Sequence, residues 1–432
     1  VPSPGAGETP RDTIFALSSG APPAAVAVVR ISGPRAPAAL EALAGSLPRP
    51  RMARLATLRH GGEPLDQALV LHFPAPHSET GEDVAELQLH GGRSVVAAVL
   101  AALGTMEGLR PARGGEFTRR AFENGRIDLS EAEGLADLLF SETQSQRRAA
   151  LALAGGALGR QVEAWQARLL GAAARIEADL DFSDEGDVPT GREGVAADLR
   201  ALGAEIEKWL ARPSVERLRE GLRVVIAGPP NAGKSSLLNV LVGREAAITS
   251  EIAGTTRDLV EAPTAIGGSP FLLVDTAGLR ESGDPVEAIG VERARASLEA
   301  ADLVLWLGSP DSCPDPTRSI LVQAKSDLTP PDLRTDVAVS VKTGAGIDSL
   351  IDLLVERSRA LLPAEGEVAI NARHRSLLAE VREWLVEGAA ACDLLIAAEA
   401  VRQSLGALDR ITGRAGVEDM LDTLFGRFCI GK

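Results

Sequence analysis

One string limits the fold more than any other. Gly228-Pro-Pro-Asn-Ala-Gly-Lys234-Ser235 stands between an apolar run, Val224-Val225-Ile226-Ala227, and a helix-like segment at 237–242. A G-x4-GK-S spacing at a strand-to-helix junction aims backbone N–H groups and a helix N-terminus into one concave space. Further apolar runs at 271–274, 303–306, 320–322 and 337–339 alternate with helical stretches. That alternation predicts a doubly wound parallel sheet.

The ligand of such a loop is a phosphate chain. Lys234 places a point charge on the β and γ phosphates, and Ser235 can ligate magnesium. Asp275-Thr-Ala-Gly278 ends the run 271–274, so its carboxylate can hold the magnesium shell and the Gly278 N–H can sense a γ-phosphate. Between the two lies Gly254-Thr-Thr-Arg-Asp258, whose Thr256 offers a second magnesium hydroxyl. The order and spacing describe a switch GTPase. Lys325-Ser-Asp327 follows 320–322, and an ionised Asp327 only accepts hydrogen bonds, which suits the two adjacent donors of guanine and not adenine. Ala324 stands where G proteins carry Asn, a loss on the order of 1 kcal/mol per missing hydrogen bond. Ser340-Val-Lys342 resembles the last G-protein motif, Ser-Ala-Lys.

Hydrolysis needs a substitute group, because Leu279 occupies the place of the water-orienting glutamine of Ras-like proteins. Two candidates are Asn231, whose amide oxygen can help bind a monovalent cation, and Glu287, whose carboxylate can orient water or remain a solvated loop charge.

Around this unit the pattern is different. Residues 12–126 mix short β-prone runs, such as 25–31 and 67–73, with one helix-like stretch at 94–103, which predicts a compact α+β domain. From 129 to 180, Leu158, Val162, Trp165, Leu169, Ile176 and Leu180 recur at helical spacing, and after Pro363 so do Leu394, Ala398, Val401, Leu405 and Leu408. Helix before and helix after imply that the α/β unit is inserted into one helical domain. The expected division is 1–125, 126–219, 220–363 and 364–432.

Composition sets the remaining bounds. Three cysteines, Cys313, Cys392 and Cys429, are too few and too scattered for a disulfide framework or a four-ligand zinc site. No apolar run reaches the roughly 20 residues of a membrane span, and no signal-peptide pattern opens the chain, so a cytoplasmic location with no membrane is expected. A formal net charge of −15 repels a polyanion overall, so nucleic-acid binding would need local basic patches or a partner. Arg119-Arg120 and Arg147-Arg148 are basic pairs that could touch such a phosphate backbone, although charged pairs are more often merely solvated.

These strings resemble the MnmE (TrmE) family. Gly228 to Asn239, Ile252-Ala-Gly-Thr-Thr-Arg-Asp258, Asp275-Thr-Ala-Gly-Leu-Arg280 and Ile289-Gly-Val-Glu-Arg293 look like its G domain. Arg30-Ile-Ser-Gly33, Thr80-Gly-Glu-Asp83, His90-Gly-Gly92, the stretch from Gly114 to Leu129 and the terminal Cys429-Ile-Gly-Lys432 look like its other domains. The resemblance implies a multidomain α/β plus α protein: an N-terminal α+β folate-binding-type and dimerisation domain, a discontinuous helical domain and an inserted Ras-like doubly wound G domain. It implies GTP contacts from Asn231, Ala232, Gly233, Lys234, Ser235 and Ser236, from Ser250, Glu251, Ile252, Ala253, Gly254, Thr255 and Thr256, from Asp275, Thr276, Ala277 and Gly278, and from Lys325, Asp327, Ser340, Val341 and Lys342. Magnesium falls to Ser235 and Thr256, potassium to Asn231, Ser250, Ile252 and Thr255, and catalysis to Glu287 and Cys429. Arg30, Glu86, Arg126 and Lys432 map onto the folate contacts, for 5,10-methylenetetrahydrofolate or a formyl analogue.

The implied partners are a second copy in a homodimer, an MnmG-type FAD protein in a heterotetramer, and tRNA, modified at C5 of the wobble uridine. Departures are Ala24-Ala25-Val26 in place of a Gly-rich stretch, Glu79 in place of a frequent aromatic, and Ala324. His90 is expected to be structural. The alternative is an RNA or ribosome assembly switch of the Era or Der kind, although no Gly-x-x-Gly loop of a KH unit follows the G domain.

Overall fold

A computed structural model of the chain describes residues 12–181, 192–244, 260–276, 295–330, 332–364, 367–415 and 418–432. It divides into two compact units, Val1–Ala136 with Thr412–Lys432, and Asp137–Ile411.

The first unit is built on a six-stranded sheet of β1 (Thr13–Leu17), β2 (Val26–Ser32), β3 (Arg54–His60), β4 (Glu63–Phe73), β5 (Val84–His90) and β6 (Leu109–Pro111), in the order β3-β4-β5-β2-β1-β6. Three helices accompany it: α1 (Ala36–Ala44), α2 (Arg93–Gly104) and α3 (Glu116–Glu123). Alternation along the strands buries Ala27, Val29 and Ile31 of β2 with Leu87 and Leu89 of β5 against Leu40, Leu43, Val99 and Leu103 of the helices. On another face, Phe117 of α3 closes over Ile14 and Ala16 of β1. The β-prone runs at 25–31 and 67–73 and the helix at 94–103 therefore lie within β2, β4 and α2.

The chain's last residues complete this unit. Phe425 and Phe428 pack with Leu129 and Ala132, Ile430 bridges Gly114, and Gly431 lies so close to β1 that an added Cβ would stand 2.1 Å from the Leu17 carbonyl oxygen. A glycine with φ of 99° meets both demands at once.

The second unit runs through α4 (Leu129–Leu139, which begins in the first unit), α5 (Gln144–Ala154), α6 (Ala157–Asp181), α7 (Arg192–Leu210) and α8 (Glu216–Glu220), then β7 (Leu222–Ala227), α9 (Lys234–Arg244), β8 (Val260–Ile266), β9 (Ser269–Asp275), β10 (Leu303–Trp306), β11 (Ser319–Gln323) and β12 (Val337–Ala338). It ends with α10 (Ile347–Arg359), α11 (Ala372–Ala390) and α12 (Leu394–Thr412). One core joins Leu158, Val162, Trp165 and Leu169 of α6 to Val381 and Leu385 of α11 and Val401 and Leu408 of α12. Residues before and after the sheet thus share an interior, each fully buried large side chain contributing about 1.5–3 kcal/mol.

The sheet order is β12-β11-β10-β7-β9-β8. Strands β12, β11, β10, β7 and β9 pair in parallel, and β8 runs antiparallel to β9 at the edge. The sequence reading expected parallel strands throughout; a two-glycine turn, Gly267-Gly268 with φ of 56° and 79°, makes a hairpin there instead. Because β7 lies between β10 and β9, the chain reverses its winding direction at the C-terminal end of β7, where a crevice opens.

Candidate functional site

The phosphate loop fills that crevice. It leaves β7 at Ala227 and enters α9 at Lys234. Gly228 has φ of 148°, and an added Cβ would stand 3.1 Å from backbone and side-chain atoms of Leu307. Gly233 at 98° has open space beside it, so it is needed for its backbone angle alone. Asn231 adopts φ of 60°, a left-handed conformation that asparagine tolerates better than most residues. Its side chain makes no hydrogen bond among the described residues.

Lys234 is buried, and its Nζ donates to the carbonyl oxygens of Gly228 at 3.1 Å and Pro229 at 3.0 Å. The loop therefore curls around its own ammonium group, leaving a cationic floor beneath the α9 N-terminus. Ser235 and Ser236 are exposed in the first turn of α9. Asp275, at the end of β9 and only 3% exposed, pairs in register with Ile226. Thr276 donates its hydroxyl to the Ile226 carbonyl at 2.9 Å, which fixes the strand end beside the loop.

The base-reading loops join the same end of the sheet. Lys325, with φ of 57°, donates from Nζ to the Asn231 carbonyl oxygen at 2.7 Å. This bond ties the loop after β11 to the phosphate loop despite Ala324. Ser340 donates to Asp327 Oδ1 at 2.7 Å. That hydrogen bond, ahead of the other contributions, holds the Asp327 carboxyl below the usual carboxylate range, so it accepts only. Ser326 N–H bonds to Val339 O at 3.0 Å, locking the 325–327 loop against the turn that contains Ser340, Val341 and Lys342. Ser250, Glu251, Ile252, Ala253, Gly254, Thr255, Thr256, Ala277, Gly278 and Glu287 lie outside the described residues.

A second polar constellation lies in the first unit. Arg30 on β2 faces Glu86 on β5 in register, and its Nε and Nη2 donate to Glu86 Oε1 at 3.1 and 2.9 Å. Glu79 contacts Nη1 as an ion pair, so the guanidinium is held between two carboxylates. The guanidinium lies 5.8 Å from the Phe117 ring centroid, and Phe117 N–H donates to the Lys432 carbonyl oxygen at 3.2 Å. Arg30, Glu86 and the backbone end of Lys432 are thereby gathered around Phe117. Arg126 is exposed, with its side-chain carbons beside Gly81 in the loop that carries Glu79 and Thr80. Cys429 is exposed three residues before the Lys432 carbonyl.

Behind this group a chain of charges runs inward. Ser32 bonds to Thr80 at 2.7 Å and to Glu82 at 2.8 Å; Arg120 bridges Glu82 and Glu116; and Arg110 holds Glu116 at 2.9 Å. Burial pushes the Glu116 carboxyl up, yet the bonds from Arg110 and the Arg113 N–H, with the charges of Arg110 and Arg120, outweigh it and hold the group at about 2. The sequence reading missed Glu79, Phe117 and this network. The strings around Thr80 and Gly114 contain these residues, but nothing in them says which acid meets which base. Of the two basic pairs considered for phosphate, Arg119-Arg120 presents little free charge: Arg120 is 5% exposed and committed to two carboxylates, and Arg119 binds Glu123 and Asp422. His90, expected to be structural, has its Nδ1 2.7 Å from Asp66.

Comparison with known proteins covers both units. The family model of the MnmE helical domain matches residues 129–429, and that of the GTP-binding protein TrmE N-terminus matches 13–126. A tRNA modification GTPase MnmE of Rhizorhabdus wittichii is 60% identical, covering 100% of this chain and 98% of its own. Those of Erythrobacter litoralis and Sphingopyxis alaskensis are each 56% identical, over 98% and 94% of this chain and 100% of their own. Likeness of this extent, inside and outside the sheet of β7–β12, sets aside the assembly-switch alternative.

Proposed function

The chain belongs to the MnmE family of tRNA modification GTPases, and on that premise we propose that GTP hydrolysis here serves modification at C5 of the wobble uridine. The observation that carries the nucleotide reading is the Lys325–Asn231 bond, which places the base-reading and phosphate-holding loops in one rigid frame. GTP should bind at least 100-fold more tightly than ATP, and Asp327→Ala should weaken GTP by about 1.5–3 kcal/mol, the worth of hydrogen bonds to a charged group. Calorimetric titration with both nucleotides checks this; equal affinities would overturn it.

Ser235 and Thr256 are the proposed magnesium hydroxyls, with the Asp275 carboxylate close behind. Asn231, Ser250, Ile252 and Thr255 are the proposed potassium ligands. The Asn231 amide, with no hydrogen bond among the described residues, fits such a role. Potassium, when bound, supplies positive charge near the β and γ phosphates in a pocket without glutamine. Glu287 orients the attacking water.

A tetrahydrofolate one-carbon donor, 5,10-methylenetetrahydrofolate or a formyl analogue, is proposed at Arg30, Glu86, Arg126 and Lys432. The Arg30 guanidinium, held between Glu79 and Glu86 beside the Phe117 ring, fits a site for a flat polar ring. Cys429, exposed beside that region, is the proposed thiol of the modification step. The working assembly is proposed to be a cytoplasmic homodimer joined to an MnmG-type FAD protein in a heterotetramer.

A further inference from the structure

A tRNA substrate is a polyanion, and this chain carries a formal net charge of −15. Its phosphates need a local surface of the opposite sign. Between Arg35 and His60 the sequence holds five arginines, Arg35, Arg49, Arg51, Arg54 and Arg59, against one carboxylate, Glu41. Most of these residues lie on β3, the edge strand of the first sheet, and on the loop before it. Arg49, Arg51 and Arg59 are exposed.

What holds these arginines matters more than their number. Arg54 donates to the Ala44 and Ser46 carbonyl oxygens at 3.2 and 2.6 Å, Arg59 to Gly62 O at 3.4 Å, and Arg51 to His77 O while lying over the Phe73 ring. Carbonyl oxygens orient a guanidinium without cancelling its charge. Among the described residues no carboxylate pairs with any of the five. The exposed arginines Arg295, Arg334 and Arg402 each meet an acid; Arg93 and Arg126 are exposed and also meet no acid among the described residues, but they stand singly rather than in a run. Across the strand pair, Glu63 stands opposite His60, and Asp66 is committed to His90.

Arg51 adds an independent sign. Its φ is 60°, a left-handed backbone where glycine or asparagine would be easier to place. A charged edge strand also discourages strand addition, but that task does not call for Arg49 and Arg51, which precede β3. Met52 and Leu55, 59% exposed each, put apolar surface among the charges.

We infer that the loop before β3 and β3 itself form a phosphate-binding strip for tRNA, with Arg49, Arg51 and Arg59 as its sequence-independent contacts. The inference rests on the tRNA reading above. It places the RNA backbone along the free edge of the first sheet, where Arg119 and Arg120 do not reach.

The test is the salt dependence of tRNA affinity for the full chain, the triple variant R49Q/R51Q/R59Q and a charge-matched control, R295Q/R334Q/R402Q. Each lost phosphate contact removes about 0.7–0.9 from the slope of log affinity against log salt. The strip variant should therefore lose about 2–3 units of slope and bind at least tenfold more weakly near 0.1 M salt, whereas the control stays within twofold of wild type. Far-UV circular dichroism and thermal unfolding that match the wild type show that both variants are folded, and GTP turnover without tRNA should be unchanged in both. Wild-type slope and affinity in the strip variant, or an equal loss in the control, would overturn the strip while leaving the substrate reading intact. Absence of any salt-dependent tRNA binding by the wild type would overturn the substrate reading itself.

Discussion

Glu116 shows how one side chain can be essential without touching a ligand. Its carboxylate is nearly enclosed and bound to Arg110, the Arg113 N–H and Arg120, which keep its pKa at about 2 against an ordinary 4.5. A folded value below the unfolded one means that this stabilisation is complete above pH 4.5 and is lost as pH falls toward 2. The shift corresponds to about 3 kcal/mol at neutral pH. Glu116→Gln should therefore cost about 3 kcal/mol at pH 7 in urea unfolding, and the gap from wild type should narrow by roughly 2 kcal/mol between pH 5 and pH 2.5. A gap that stays constant with pH would show that the ionised carboxylate is not the source. Asp327 differs in kind: it is open to solvent, and its lowered pKa keeps it an acceptor, as the proposed contact with guanine requires, rather than holding the fold together.

At the scale of elements, legibility followed periodicity. The apolar runs 224–227, 271–274 and 303–306 emerge as β7, β9 and β10 because strands buried on both faces have no polar positions to interrupt them. Leu158, Val162, Trp165 and Leu169 likewise mark the α6 face, since the core against α11 and α12 demands one apolar stripe. Strand β3 gave no such sign: it sits at an edge and buries Leu58 alone, so no apolar run or alternation marks it. The phosphate loop was legible because the chemistry is carried by backbone N–H groups at fixed spacing. The Arg30 constellation was legible only through the family resemblance, since cross-strand register joins residues 56 apart in sequence.

The C-terminal turn is a further case, visible only once Gly431 is seen against Leu17. Phe117, near the start of α3, has no acceptor within its own helix for its N–H, and the Lys432 carbonyl serves instead. Gly431→Ala would force a Cβ onto the Leu17 oxygen and break that seat. The Phe117 amide should then exchange with solvent about tenfold faster, as local opening costs over 1 kcal/mol less. Unchanged exchange at Phe117 would show that the turn tolerates the side chain.

For the whole molecule, the two units divide the chemistry. One carries the nucleotide loops and the other the Arg30 constellation with the exposed thiol of Cys429. Among the described residues no helix is long and apolar enough to cross a membrane. The central claim concerns the nucleotide loops: a monovalent cation beside Asn231 replaces the glutamine that Leu279 cannot supply, and Glu287 positions the water. GTP turnover by the full chain in potassium against sodium at equal ionic strength, with Glu287→Ala alongside, tests it most directly. The account predicts at least a tenfold faster rate in potassium, about 1.4 kcal/mol of barrier, and loss of that advantage in the Glu287 variant; equal rates in the two salts would contradict it.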